Sequence, residues 1–77
     1  MKNNCEIVIF GQNLKKIRKA KGLSIKSMAK ILGIGERSLS LIEGGFLPPR
    51  LDVSILFRIY QEFDILPSEI FVPLDDN

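Results

Sequence analysis

Apolar residues recur along this chain at helical spacing, in blocks that glycine or proline separates. Phe10, Leu14 and Ile17 stand at i, i+4 and i+7 and form one stripe of a helix predicted over about 10–21. Lys15, Lys16, Lys19 and Lys21 lie on its other side, and Gly22 ends it. Ahead of it, Ile7 to Phe10 fits either a short strand or the start of that helix, because β-branched residues favour extended backbone only weakly. Residues 1–6 carry no structural signal. Met28, Ala29 and Leu32 give the apolar face of a second helix over about 25–32. Ser24 is its N-cap, and Gly33 closes it with a left-handed residue. Ile34 is a lone apolar residue in the turn, suited to plug the gap between two helices.

The next helix, over about 36–43, points Leu39 and Ile42 inward and leaves Glu36, Arg37, Ser40 and Leu41 outward. Residues 44–50 form a loop, since Pro48-Pro49 cannot sit inside a helix. Ile55, Leu56, Ile59, Tyr60 and Phe63 make a broad stripe on a helix over about 52–63, broken at Asp64. Pro67 suits the first position of a last short helix, with Glu69 in its first turn and Ile70 and Phe71 capping the core. Val72 to Asn77 is expected to fray. Ser24 to Glu43 thus reads as two short helices joined by a tight turn. That is the spacing of a helix-turn-helix, whose second helix lies in the major groove of DNA.

The segment from Phe10 to Phe71 also resembles the phage-repressor and Cro type (XRE-like) of helix-turn-helix domain. The matching residues are Leu14, Ile17, Arg18, Gly22-Leu23-Ser24, Ala29, Gly33-Ile34, Ser38-Leu39-Ser40, Ile42-Glu43, Gly45 and Pro48. The resemblance implies an all-α fold: a compact five-helix bundle of the lambda-repressor-like type, with the helix-turn-helix at its second and third helices. It implies one domain over 1–77, with a core at about 10–71. Three positions depart from the pattern. Ile25 stands where the family usually has a glutamine on a DNA phosphate, and isoleucine donates no hydrogen bond. Spacing places Ile25 on the core stripe instead, while the backbone N–H there remains able to bind phosphate. Gly35 is a weaker N-cap than serine or threonine. Leu41 is apolar where a polar base reader is usual, and the loop after Glu43 is about two residues longer than usual.

Charge sharpens this picture. Residues 1–37 carry nine Lys or Arg against Glu6 and Glu36, a net +7; residues 38–77 carry Arg50 and Arg58 against seven acids, a net −5. The sum is the +2 of the whole chain. A basic half is the footprint expected for a polyanion partner. The hydrophobic fraction of 45% fits a globular domain, and no apolar run approaches the ~20 residues of a membrane helix. The N-terminus is a poor signal peptide. A single cysteine, Cys5, permits no internal disulfide, so a cytoplasmic setting is expected and Cys5 reads as an inert small residue.

Chemistry is otherwise sparse. With no histidine and one cysteine, ordinary zinc sites and catalytic triads cannot be built. No phosphate-binding loop follows a strand, and so short a chain leaves little volume for an active site. No enzyme, metal, cofactor, membrane contact or small-molecule ligand is expected. The function that fits is a sequence-specific double-stranded DNA-binding transcriptional regulator; the alternative is a protein-interaction module of the same fold that has lost DNA readout. In the first reading Lys15, Lys19, Ser24, Lys26, Lys30 and Arg50 grip phosphates, and Glu36, Arg37, Ser40 and Leu41 read bases. Glutamate accepts from cytosine N4, arginine forks onto guanine or holds a phosphate, and leucine touches a thymine methyl. The resemblance also implies an Arg18–Glu43 ion pair and a homodimer. Phe46 and Leu47 in the lengthened loop, with Phe57 off the main stripe of its helix, are candidates for the dimer contact.

Overall fold

A computed structural model of the chain describes residues 5–49 and 51–73. Arg50, residues 1–4 and the C-terminal end of the expected fraying segment lie outside them. The architecture is all-α, with helices α1 (Cys5–Ala20), α2 (Ile25–Leu32), α3 (Glu36–Glu43), α4 (Ser54–Phe63) and α5 (Pro67–Ile70). They enclose one core that holds Phe10, Leu14, Met28, Leu32, Leu39, Ile42, Ile59 and Ile70, each almost fully buried. α1 packs most extensively on α3, and α2 bridges α3 to α4.

The segment Ile7–Phe10 is helical, which settles the choice between strand and helix. Ile7 packs against the core one turn before Phe10, and the Phe10 ring stacks on Phe71 with centroids 5.2 Å apart. Burial of that stripe outweighs the weak extended preference of its β-branched residues. Asn13 lies beside the stripe and is buried. Its amide nitrogen donates to the carbonyl oxygens of Ile70 (2.6 Å) and Val72 (2.8 Å), tying α5 and the residues after it to α1. Gly11 is buried where α1 crosses α3.

The ends of α1, α2 and α3 close in one way. After α2, Gly33 is left-handed (φ 74°), its N–H bonds to Lys30 O at 3.2 Å, and the N–H of Ile34 bonds to Ala29 O at 3.0 Å. Glycine adopts that backbone without a side-chain clash. Gly22-Leu23 after α1 and Gly45-Phe46 after α3 repeat the pair of bonds. α4 begins at Ser54 instead of near 52, because the Asp52 carboxylate accepts the Ser54 N–H at 2.8 Å in an Asx turn, along with the Ser54 hydroxyl. Those two bonds from Ser54 hold the Asp52 carboxyl below the usual carboxylate range. Tyr60, expected on the apolar stripe of α4, is 44% exposed. The buried line is Ile55 and Ile59, with Leu56 and Phe63 half-buried beside it, and Tyr60 falls at its edge.

Candidate nucleic-acid interface

α2, the turn and α3 form the unit on which a DNA face would stand. The Ser24 hydroxyl accepts the Ser27 N–H at 3.0 Å and donates to the Ser27 hydroxyl at 3.1 Å. It is therefore committed to opening α2, and binding a phosphate would require it to release Ser27. Ile25 packs against the core, as its spacing predicts. Ile34, in the turn, also packs on the core between the two helices. Gly35 starts α3 with extended backbone and no side-chain cap, leaving the first turn to the charge of Glu36.

α3 is held from behind by α1. Arg18 donates from Nε to Glu43 Oε2 at 2.8 Å and from Nη2 to Glu43 Oε1 at 3.0 Å, a two-pronged pair. Its third nitrogen, Nη1, donates to the carbonyl of Leu23 at 3.1 Å, between α1 and α2. The side chains are only 13% and 7% exposed. The Glu43 hydrogen bond raises the pKa of Arg18, so its charge is retained at any ordinary pH. One guanidinium thus fixes α1, α3 and the start of the helix-turn-helix.

The opposite side of α3 faces solvent. Glu36, Arg37 and Ser40 are exposed, and Leu41 is half-buried, less open than its sequence position implies. Lys26 and Lys30 are exposed on α2. On α1, Lys15, Lys16 and Lys19 are exposed and line a shallow depression with Gln12. Among the described residues Arg18–Glu43 is the one salt bridge. None of those lysines has a carboxylate partner among the described residues, and neither has Arg37. Arg58 is a contact that sequence reasoning missed. From α4 it donates to Ile31 O at 3.3 Å, and its guanidinium lies over Gly33, so a cation sits at the C-terminal end of α2, where the helix dipole favours one.

Phe46, Leu47 and Phe57 are 64%, 66% and 61% exposed. Leu47 lines a groove of about 320 Å³ with Ile7, Pro48, Leu51, Leu56 and Phe71, and Asp52 is its charged residue. Val53, 78% exposed, stands at its edge and one turn before Phe57. Phe46 does not line this groove. Among the described residues no group of His, Cys, Asp and Glu could hold a metal ion, and no helix is long and apolar enough to cross a membrane.

These features define a small all-helical domain built around a helix-turn-helix. The chain belongs to the helix-turn-helix domain family, whose model matches residues 11–72. It is 25% identical over 72 residues to a Methanocaldococcus jannaschii protein named "Putative HTH-type transcriptional regulatory protein MJ1164". That match covers 92% of this chain and 23% of the relative, so the chain spans under a quarter of the curated relative's length. No solved structure matches the chain.

Proposed function

We propose that this chain is the sequence-specific double-stranded DNA-binding domain of a Cro/C1-type transcriptional regulator, non-enzymatic and cytoplasmic, with α3 in the major groove. One observation carries the reading. α3 is clamped from behind by Arg18–Glu43, while its outward face presents an exposed Arg37 which, like the exposed lysines of α1 and α2, has no carboxylate partner among the described residues. Lys15, Lys19, Lys26 and Lys30 set the register on phosphates, joined by Arg50 and, if it releases Ser27, by Ser24. Glu36, Arg37, Ser40 and Leu41 read base edges. The name of the archaeal relative agrees with a regulatory role.

The test is selection of bound duplexes from a random DNA pool, followed by titration of the selected site. Affinity should fall steeply with salt, because bound lysines release counterions. Arg37→Ala should lose about 1–3 kcal/mol of discrimination at one position per half-site. Lys26→Ala and Lys30→Ala should weaken all sequences alike. A selected motif that keeps its full information content in Arg37→Ala would remove Arg37 from the readers. No selection at low salt would leave the interaction-module reading in its place. That second reading is favoured by the exposed apolar side chains; Ile25 does not bear on it, because it packs against the core.

We also propose a homodimer that seats Phe46, Leu47 and Phe57 of each copy on the other, with Val53, exposed one turn before Phe57, beside them at the apolar groove. A twofold pairing of this kind uses the same patch on both subunits and would match a near-palindromic operator. Sedimentation should show self-association at micromolar concentration in the native chain, and its loss in Phe57→Ser. A native chain that stays monomeric at high micromolar concentration rejects the dimer.

A further inference from the structure

We infer that Arg58 is a positioning residue for DNA reading: it fixes the angle at which the dimer helix α4 carries the helix-turn-helix, and so sets the spacing of the two half-sites. The inference rests on the DNA-binding and homodimer readings above. α3 packs chiefly on α1 and α2, whereas α4 packs chiefly on α2 and α5. A dimer joined along α4 therefore places its reading helices through the joint between α4 and α2. Arg58 stands at that joint. It follows Phe57 in sequence, it is exposed, and its Nη1 donates to the carbonyl oxygen of Ile31 at 3.3 Å. A Cβ on Gly33 would lie 3.1 Å from Cζ, 3.2 Å from Nη1 and 3.4 Å from Nε of the same side chain. The flat guanidinium thus covers Gly33, in the turn, at a distance that a side chain there would not permit.

The other side of this joint is apolar. Ile55 and Ile59 of α4 enter the core that Met28, Ala29 and Leu32 of α2 share. Apolar burial is non-directional, so it holds two helices together without by itself choosing the angle between them. A hydrogen bond weakens steeply once its donor leaves line with the acceptor, and a planar guanidinium fits a backbone closely in few orientations. Among the described residues Arg58 makes the one side-chain hydrogen bond from α4 to α2 or α3. It touches two points, Ile31 and Gly33, so rotation of α4 on α2 would break both contacts together. An exposed cation at a helix C-terminus adds little to stability, because solvent and salt screen the dipole. What Arg58 supplies is therefore geometry. In a twofold dimer the same joint occurs in each copy, so an error in its angle enters twice into the separation of the reading helices.

The experiment uses the full chain, the half-site it selects, and a series of duplexes in which two copies of that half-site are separated by spacers that lengthen one base pair at a time. The native chain should bind best at one spacing. Arg58→Ala should bind a single half-site as the native chain does. It should shrink the gap between the best spacing and its neighbours by roughly two- to thirtyfold, the size of a mutational change in coupling between linked elements. Arg58→Lys should not restore the gap, since it keeps a charge near the end of α2 but lacks the flat group that covers Gly33. Melting and sedimentation of both variants should stay close to those of the native chain. Selection of no duplex by the native chain would sink the regulator reading and this inference together. A native chain that binds single half-sites and stays monomeric would sink the dimer, and this inference with it. A spacing preference that survives intact in Arg58→Ala would sink this inference alone. Full rescue by Arg58→Lys would make the residue a simple countercharge for α2 and overturn it too. So would a loss in Arg58→Ala that is equal at single half-sites and at every spacing.

Discussion

Gly11→Ala is expected to unfold much of this domain, although alanine is the better helix former by about 1 kcal/mol. A Cβ at residue 11 would fall inside the van der Waals envelope of the Ile42 carbonyl oxygen. It would also stand 2.9 Å from that carbonyl carbon and 3.4 Å from Cα of Glu43. All of these atoms are backbone of α3, so no rotamer change relieves the overlap, and α1 and α3 must separate. Inserting even one methylene into a packed core typically costs about 1–3 kcal/mol; forcing two backbones apart should cost about 3 kcal/mol or more. A domain this small holds only about 3–5 kcal/mol in all. Gly35→Ala serves as the control, because a Cβ there meets nothing within 4 Å, and it should cost under about 1 kcal/mol as a lost cap. Urea denaturation followed by circular dichroism reads both. A Gly11→Ala midpoint equal to the native one would mean that the helices do not cross this closely.

The Arg18–Glu43 pair should give the next largest effect. Removing one partner of a buried ion pair costs about 3–5 kcal/mol, because the other charge is left without compensation. Arg18→Ala should reach that range, since it strands Glu43 at 7% side-chain exposure and also takes the hydrogen bond from Leu23 O. Glu43→Ala should cost less. Arg18 then keeps its bond to Leu23 O, and at 13% exposure it has more access to water. The double variant should be less destabilised than the two single losses added, by more than the ~1 kcal/mol of a surface pair. Equal single losses that simply add would reduce the pair to two independent charges. The pH dependence has a definite sign. The raised pKa of Arg18 makes its share of the stability complete at ordinary pH, and that share is lost only as strong alkali deprotonates it.

The helix-turn-helix itself was legible because each of its signals is local. The Ser24 cap, the Gly33 closure, the Met28, Ala29 and Leu32 face and the inward Leu39 and Ile42 depend on spacings of three or four residues. Ile25 could be placed by the same periodicity even where the family pattern pointed elsewhere. The Arg18–Glu43 pair came from the resemblance, since no spacing rule connects charges 25 positions apart. The clues for Gly11 and Asn13 were present but weak: a glycine inside a helical pattern and an amide beside an apolar stripe.

The sequence by itself thus determined the all-helical class, the positions of α2 and α3, the ends of α1 and α4, and the outward placing of Glu36, Arg37 and Ser40 on α3, though not the half-burial of Leu41. Hydrophobic periodicity and capping chemistry act within one or two turns, so they can be read from a single chain. Only the tertiary structure decided the rest. It made Ile7–Phe10 helical by burying that stripe, committed the Ser24 hydroxyl to Ser27, and placed Asn13 on α5 and Arg58 on α2. It also brought α1 so close to α3 that Gly11 has no room for a side chain, and it parted Phe46 from Leu47, its neighbour in sequence. These outcomes depend on which surfaces meet when the helices pack, and distances between residues remote in sequence exist only once the core has formed.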